Sequence, residues 1–276
     1  MRYSNPEIPE GINVSKRHPL KEFIILTSGV IGCIFIVVFI LSLMAEKLAV
    51  HVPFSTEREM TSSFMERYKS DGKMQTYLQT MADGLAADMN LPEDMSITVH
   101  YVDDNVKNAY ATLGGHIFIH QGLIGIIPNE NALAMVLAHE IAHIKHRHPI
   151  IAMGRGVVLG LLFSAISGIS SNKIVGDAVN SAGMIAVMNF SRDQEREADK
   201  TGIIAVAKYY GHVAGALDLF RALLKYEGKN RLSVPAFLST HPLDKERIAG
   251  LTRYAKEHGW QMDREVRALP GFVRDR

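Results

Sequence analysis

The chain holds 276 residues, 47% of them hydrophobic and 21% charged, with ordinary Gly and Pro counts and no repeated block, which excludes disorder, collagen-like sequence and a solenoid. Thirty basic residues against 29 acidic ones give a formal net charge of +1, so no nucleic-acid partner is expected. The single cysteine, Cys33, rules out an intramolecular disulfide framework and any Cys-rich metal site, so a metal must be held by His and carboxylates.

Residues Met1 to Glu22 are polar and interrupted by Pro6, Pro9, Gly11 and Pro19, an irregular tail. Phe23 to Ala45 then runs for about 23 residues without a charge, roughly 34 Å of helix, enough to cross a bilayer core of about 30 Å. The run is longer than the apolar region of a cleaved signal peptide, so a single-pass transmembrane anchor is expected. Arg2, Lys16, Arg17 and Lys21 precede it, and only Lys47 and Arg58 follow closely. By the positive-inside rule the tail 1–22 stays in the cytoplasm and the rest is exported, most simply from a bacterial inner membrane into the periplasm.

Beyond a linker near His51 to Thr56, apolar residues at helical spacing, among them Met74, Tyr77, Leu78, Met81 and Leu85, predict one or two helices within Glu57 to Asn90. Ser96 to Val102 alternates like a half-buried strand, Asp103-Asp104-Asn105 is a turn, and Asn108 to Ala111 and His116 to His120 read as further strand structure. From Asn129, a helix cap, Leu133, Val136, Leu137, Ile141 and Ile144 form the apolar face of a helix that Pro149 should end. Asp193 to Tyr210, His212 to Glu227 and Asp244 to His258 are mainly helical. A few strands followed by many helices predict an α+β, mainly helical fold with a small mixed sheet.

The capped helix carries His139-Glu140-Ile141-Ala142-His143. At 3.6 residues per turn the two histidines stand one above the other on one face, where both imidazoles can reach one ion with Glu140 beside them. Zinc held by three protein ligands keeps a fourth position for water and lowers its pKa towards about 7, and Glu140 would take the proton and pass it to a leaving amine. An extended motif with Gly at 146 and His at 149 fails, because His146 and Pro149 stand there. His146 and His148 lie further along, where one ion is hard to share with the first pair, and are read as solvated or structural. A better third ligand lies in Ser191 to Asp199: Glu195 and Asp199 are one turn apart, the first able to bind zinc and the second to accept the Nδ1 proton of a ligand histidine. Alone, that spacing is usually a solvated charged face. Glu197, almost opposite, is read as such a solvated residue.

These blocks resemble the gluzincin metallopeptidases that include the HtpX membrane protease, the CAAX prenyl protease and bacterial periplasmic proteases of outer-membrane quality control. The resemblance extends from about Asn108 to Arg247. Asn108-Ala109-Tyr110-Ala111 and Gly114 to Ile119 look like the family's active-site edge strand, and Phe237 to Pro242 like its downstream His-Pro motif; Leu113 stands where the family usually has Pro. The resemblance implies a zincin-like domain over 57–258 between the anchor 23–45 and a C-terminal tail 259–276. It implies one Zn2+ per chain on His139, His143 and Glu195, with Glu140 as base and Asp199 behind a ligand. His241 falls near the metal, where it would stabilise an oxyanion or close the open zinc position. Arg247 would brace that loop through a carboxylate or backbone carbonyls.

An extended polypeptide could pair its backbone with Ala109, Tyr110 and Ala111, or with the segment of His116, Ile117 and Phe118. Gly154 to Met188 is apolar and small-residue-rich but marginal for a bilayer crossing; helices packed over the cleft or touching the membrane surface are favoured over a transmembrane hairpin. The function expected is zinc-dependent cleavage of misfolded or unassembled envelope polypeptides. A chaperone-like client-binding module with a closed zinc site is the alternative, and hydrolysis of another amide uses the same metal chemistry. The oligomeric state is not legible.

Overall fold

The computed structural model describes residues 18–68, 72–167, 190–229 and 235–274. Helix α1 (Pro19–Ala49) opens with Pro at its first turn, outlasts the predicted apolar run at both ends, and leaves its large hydrophobic residues exposed on all sides. It is the one helix among the described residues long and apolar enough to cross a membrane. Helix α2 (Phe54–Met65) starts inside the stretch read as a linker because Phe54 is buried, and a 3-10 turn, Glu66–Tyr68, follows. Helix α3 (Lys73–Ala87) buries Met74, Leu78, Met81, Ala82 and Leu85, the predicted stripe, while Tyr77 packs at its margin.

Three strands, β1 (Thr98–Val102), β2 (Ala109–Ala111) and β3 (His116–His120), form a sheet in the order β1-β3-β2. β1 runs parallel to β3 and β2 antiparallel, with Tyr110 opposite Phe118. The two outer edges differ. Along β1, Val99 N and Tyr101 N donate to Gln79 Oε1 and Gln75 Oε1, and Gln79 and Gln75 donate in turn to Ile97 O and Val99 O, so α3 covers that edge. Among the described residues, no side chain covers the outer edge of β2 along Ala109 to Ala111 in that way.

After the short α4 (Gln121–Ile124) comes α5 (Glu130–Lys145), buried from Asn131 to Ile144, the axis of the domain. Its cap is as predicted, Asn129 accepting from Ala132 N at 2.8 Å. Its end is not. The helix stops at Lys145, Arg147 turns the chain in the left-handed region (φ 62°), and Pro149 lies in the first turn of α6 (His148–Ser167) instead of terminating α5. α6 runs against the last turns of α1, with Gly154 facing Ala45 and Ala49 and Arg155 paired to Glu46 at 2.9 Å. The rest of the Gly154–Met188 segment, from 168 on, lies outside the described residues.

Helix α7 (Arg192–Tyr210) packs along α5, and α8 (Asp218–Lys229), α9 (Ala236–Thr240) and α10 (Lys245–Glu257) close the domain. α8 is shorter than predicted because His212–Leu217 form turns, with Gly215 at φ 76°. The last residues, read as a tail, lie against the domain: Leu269 and Val273, the latter in α11 (Gly271–Arg274), join the main core, and Arg267 O accepts from Glu130 N.

Candidate metal centre

α5 and α7 deliver the polar groups of the site. A capping box, Ser191 with Gln194, starts α7 so that Glu195 and Asp199 point at α5. Gly202 lets the two helices close: a Cβ there would stand 3.1 Å from His139 N. From the opposite side, His241 follows α9, its N–H donating to Phe237 O and its ring stacked on Phe237.

His139, His143, Glu195 and His241 therefore offer ligand atoms within 4.8 Å of one another, all buried. His139 Nε2 lies 3.0 Å from His143 Nε2, 3.3 Å from His241 Nδ1 and 3.5 Å from Glu195 Oε2; Glu195 Oε1 lies 3.5 Å from His143 Nε2 and 3.1 Å from His241 Nδ1. A zinc ion with four ligand atoms about 2.0–2.2 Å away at tetrahedral corners holds those atoms about 3.3–3.6 Å apart. The donor set and its spacing fit zinc. Burial alone would lower His139, yet Asp199 and Glu195 overcome it and push it up to about 10. His143 is held well below its ordinary value by its burial and by the charge of His139. Glu195 lies below the carboxylate range because the neighbouring histidines overcome its burial.

Behind the cluster, Asp199 Oδ1 faces His139 Nδ1 at 3.1 Å. Arg247 grips Asp199 with Nε and Nη2, each at 2.8 Å, while Nη1 reaches Glu195 Oε2 at 2.8 Å and donates to Pro242 O at 2.7 Å. Arg247 thus braces the His241 loop through both a carboxylate and a carbonyl. Glu140 is fully buried with neither oxygen in a hydrogen bond; Oε1 stands 3.4 Å from His241 Nε2.

The strand residues divide. Ala109, Ala111 and Ile117 sit in the main core, whereas Tyr110 and Phe118 stack on the other face with Phe64 and Tyr68, beside His100 and His116. β3 is the middle strand, both its edges paired, so the expectation that a polypeptide might add along His116 to Phe118 is corrected by the sheet order. Thr112 N donates to His116 O and His120 N to Asn108 O, so by antiparallel alternation the backbone groups of Ala109 and Ala111 face away from β3. Asn108 meets Thr240, next to His241, through their side chains at 3.4 Å. Leu113, where the resembling family has Pro, is buried with Ala49, Ile150 and Phe190.

Two residues set aside in the sequence reading belong here. His148 is 2% exposed and meets His143, and Glu197 meets both His146 and His148. No periodicity could reveal this, because it depends on the left-handed turn at Arg147.

The sequence pattern of peptidase family M48 matches residues 72–255. The chain is 29% identical to a putative beta-barrel assembly-enhancing protease of Vibrio cholerae over 198 residues, which cover 68% of this chain and 40% of that protein. It is 28% identical over 200 residues to the beta-barrel assembly-enhancing protease of Yersinia pestis, covering 68% and 40%. It is 30% identical over 166 residues to the mitochondrial metalloendopeptidase OMA1 of Schizosaccharomyces pombe, covering 59% and 48%. The chain spans less than half the length of these relatives. A match over more than half its length, across the helices that carry the buried His and Glu cluster, shows that the chain belongs to peptidase family M48.

Proposed function

We propose that this protein is a membrane-anchored zinc endopeptidase with one Zn2+ held by His139, His143 and Glu195. The observation that carries the reading is the convergence of these ligands beside Glu140, a buried carboxylate with no hydrogen-bond partner of its own. Bound zinc supplies a Lewis acid and a water of lowered pKa. Glu140 accepts the proton of the attacking water and hands it to the leaving amine. The uncovered edge of β2 takes the substrate backbone along Ala109 to Ala111, an interaction with little sequence preference that suits unfolded clients. Misfolded or unassembled envelope proteins are the substrates we favour, in line with the names of the bacterial relatives. The basic residues on the N-terminal side of the apolar run support a periplasmic domain.

His241 favours a second state of the same site. Its Nδ1 occupies the fourth corner of the ligand set, the position a water needs. The resting protein is then closed, and in the extreme it binds clients without cutting them. Zinc content and casein cleavage by the full-length protein in detergent separate the two readings. One zinc per chain, cleavage lowered about 10²–10⁴-fold in Glu140→Gln with zinc retained, and faster cleavage in His241→Ala are expected. Bound zinc with no turnover in both the native protein and His241→Ala would overturn the peptidase.

A further inference from the structure

His143 is held from behind by residues outside the ligand set. Its Nδ1 lies 2.8 Å from Nδ1 of His148. His148 Nε2 lies 3.2 Å from Glu197 Oε2, and the other oxygen, Oε1, lies 3.2 Å from His146 Nδ1. His146 in turn meets Thr201 Oγ1 at 2.8 Å. Phe190 stacks on the His143 ring, centroids 4.0 Å apart, and covers one face of the imidazole.

Two ring nitrogens 2.8 Å apart share one proton, and its position decides what His143 presents to a metal. With the proton on His148 Nδ1, neutral His143 carries its own on Nε2, aimed at His139 and Glu195, and cannot ligate. With the proton on His143 Nδ1, Nε2 presents a lone pair. A carboxylate selects between them because it only accepts: Glu197 requires N–H at His148 Nε2, which leaves His148 Nδ1 of the neutral ring as an acceptor. We propose that Glu197 and His148 form a positioning relay that fixes His143 in its metal-ligating tautomer, as Asp199 does for His139. The relay rests on the zinc reading above and extends it to two residues that touch neither metal nor substrate. His146 holds the second oxygen of Glu197, a brace this carboxylate needs because its side chain is 52% exposed.

The test is zinc affinity of the full-length protein in detergent, by competition with a chromophoric chelator, with the visible spectrum of the Co2+-loaded protein reporting ligand geometry. His148→Ala should weaken zinc binding about 10–100-fold and alter the cobalt bands. His148→Asn, whose Oδ1 can stand where His148 Nδ1 accepts, should recover most of the affinity. Glu197→Ala, at a half-exposed position that does not endanger folding, should weaken binding about tenfold and add nothing in the His148→Ala background. Native affinity and spectrum in Glu197→Ala overturn the relay, as do equal losses in His148→Ala and His148→Asn. A native protein that takes up no zinc overturns the reading of the site itself, a failure distinct from that of the relay.

Discussion

Asp199 and Glu195 are carboxylates taken almost wholly out of water, and the Arg247 guanidinium meets both. Burial raises Asp199, but His139 and Arg247 overcome it and hold its carboxyl below the ordinary range. Removing one partner of a buried ion pair strands the other, at about 3–5 kcal/mol. Arg247→Ala is expected to lose stability on that scale in urea denaturation. Arg247→Lys should regain only part, because an ammonium cannot reproduce the fork on Asp199 together with the contact to Pro242. A change within about 0.5 kcal/mol for Arg247→Ala would show that the pair holds nothing. His139, Glu140 and His143 were readable because their relation lies within two turns of one helix. Glu195 was readable only as half of a weak pair, since 52 residues of chain separate it from His143. Of the two readings left open for His148, solvated or structural, its burial against His143 supports the second; helical extrapolation carries His148 away from His143, whereas the turn at Arg147 brings it back.

At the scale of elements, a buried pair ties three pieces together. Glu57 of α2 accepts from Gly114 N at 2.9 Å and meets Arg147, between α5 and α6, at 2.9 Å; Arg147 also donates to Val52 O. Burial raises the Glu57 carboxyl in spite of Gly114 and Arg147, a sign that desolvation opposes the pair. Arg147→Met alone should therefore cost about 3–5 kcal/mol and Glu57→Gln/Arg147→Met clearly less, a coupling that vanishes if the single losses simply add. The β1–β3 contact should respond to acid. His100 Nε2 lies 3.0 Å from His116 Nδ1; burial lowers both rings, His116 to about 4, with His100 and Arg58 adding to the shift. Since the unfolded chain binds these protons more readily, their contribution is complete above about pH 6.5 and is lost as pH falls towards 4. Thermal unfolding from pH 7.5 to 4.5 should fall less steeply in His100→Asn/His116→Asn than in the native protein; parallel curves would remove these histidines from the acid response. Alternation marked β1, and the segments of β2 and β3 were read as further strand or hairpin structure after it. Their order, and the glutamines that cover one edge and leave the other, could not be read from it, because strand neighbours are chosen by packing on α5 and α3.

At the scale of the whole molecule, α1 and α2 lie outside the matched family region, yet both are joined to it: Ala49 of α1 packs with Leu113 and Ile150, Arg155 of α6 pairs with Glu46 of α1, and Glu57 of α2 accepts from Gly114 N. The helix that carries His139 and His143 is thus linked through α6 and α2 to α1. Only Cys33 carries a thiol, so orientation can be tested in Cys33→Ser with one new cysteine at exposed Glu93. In a bacterial host, a membrane-impermeant maleimide should label intact spheroplasts; labelling only after lysis would put the domain in the cytoplasm. The sequence by itself determined the long apolar helix near the N-terminus, the helix with its two histidines and the helical bias, because each is a local pattern of hydrophobicity or spacing along one element. Tertiary structure decided the meeting of Glu195 and His241 with the two histidines, which edge of the sheet α3 covers, and the setting of His148. These depend on how separate elements meet in a shared core, and such contacts leave no periodic trace in the chain.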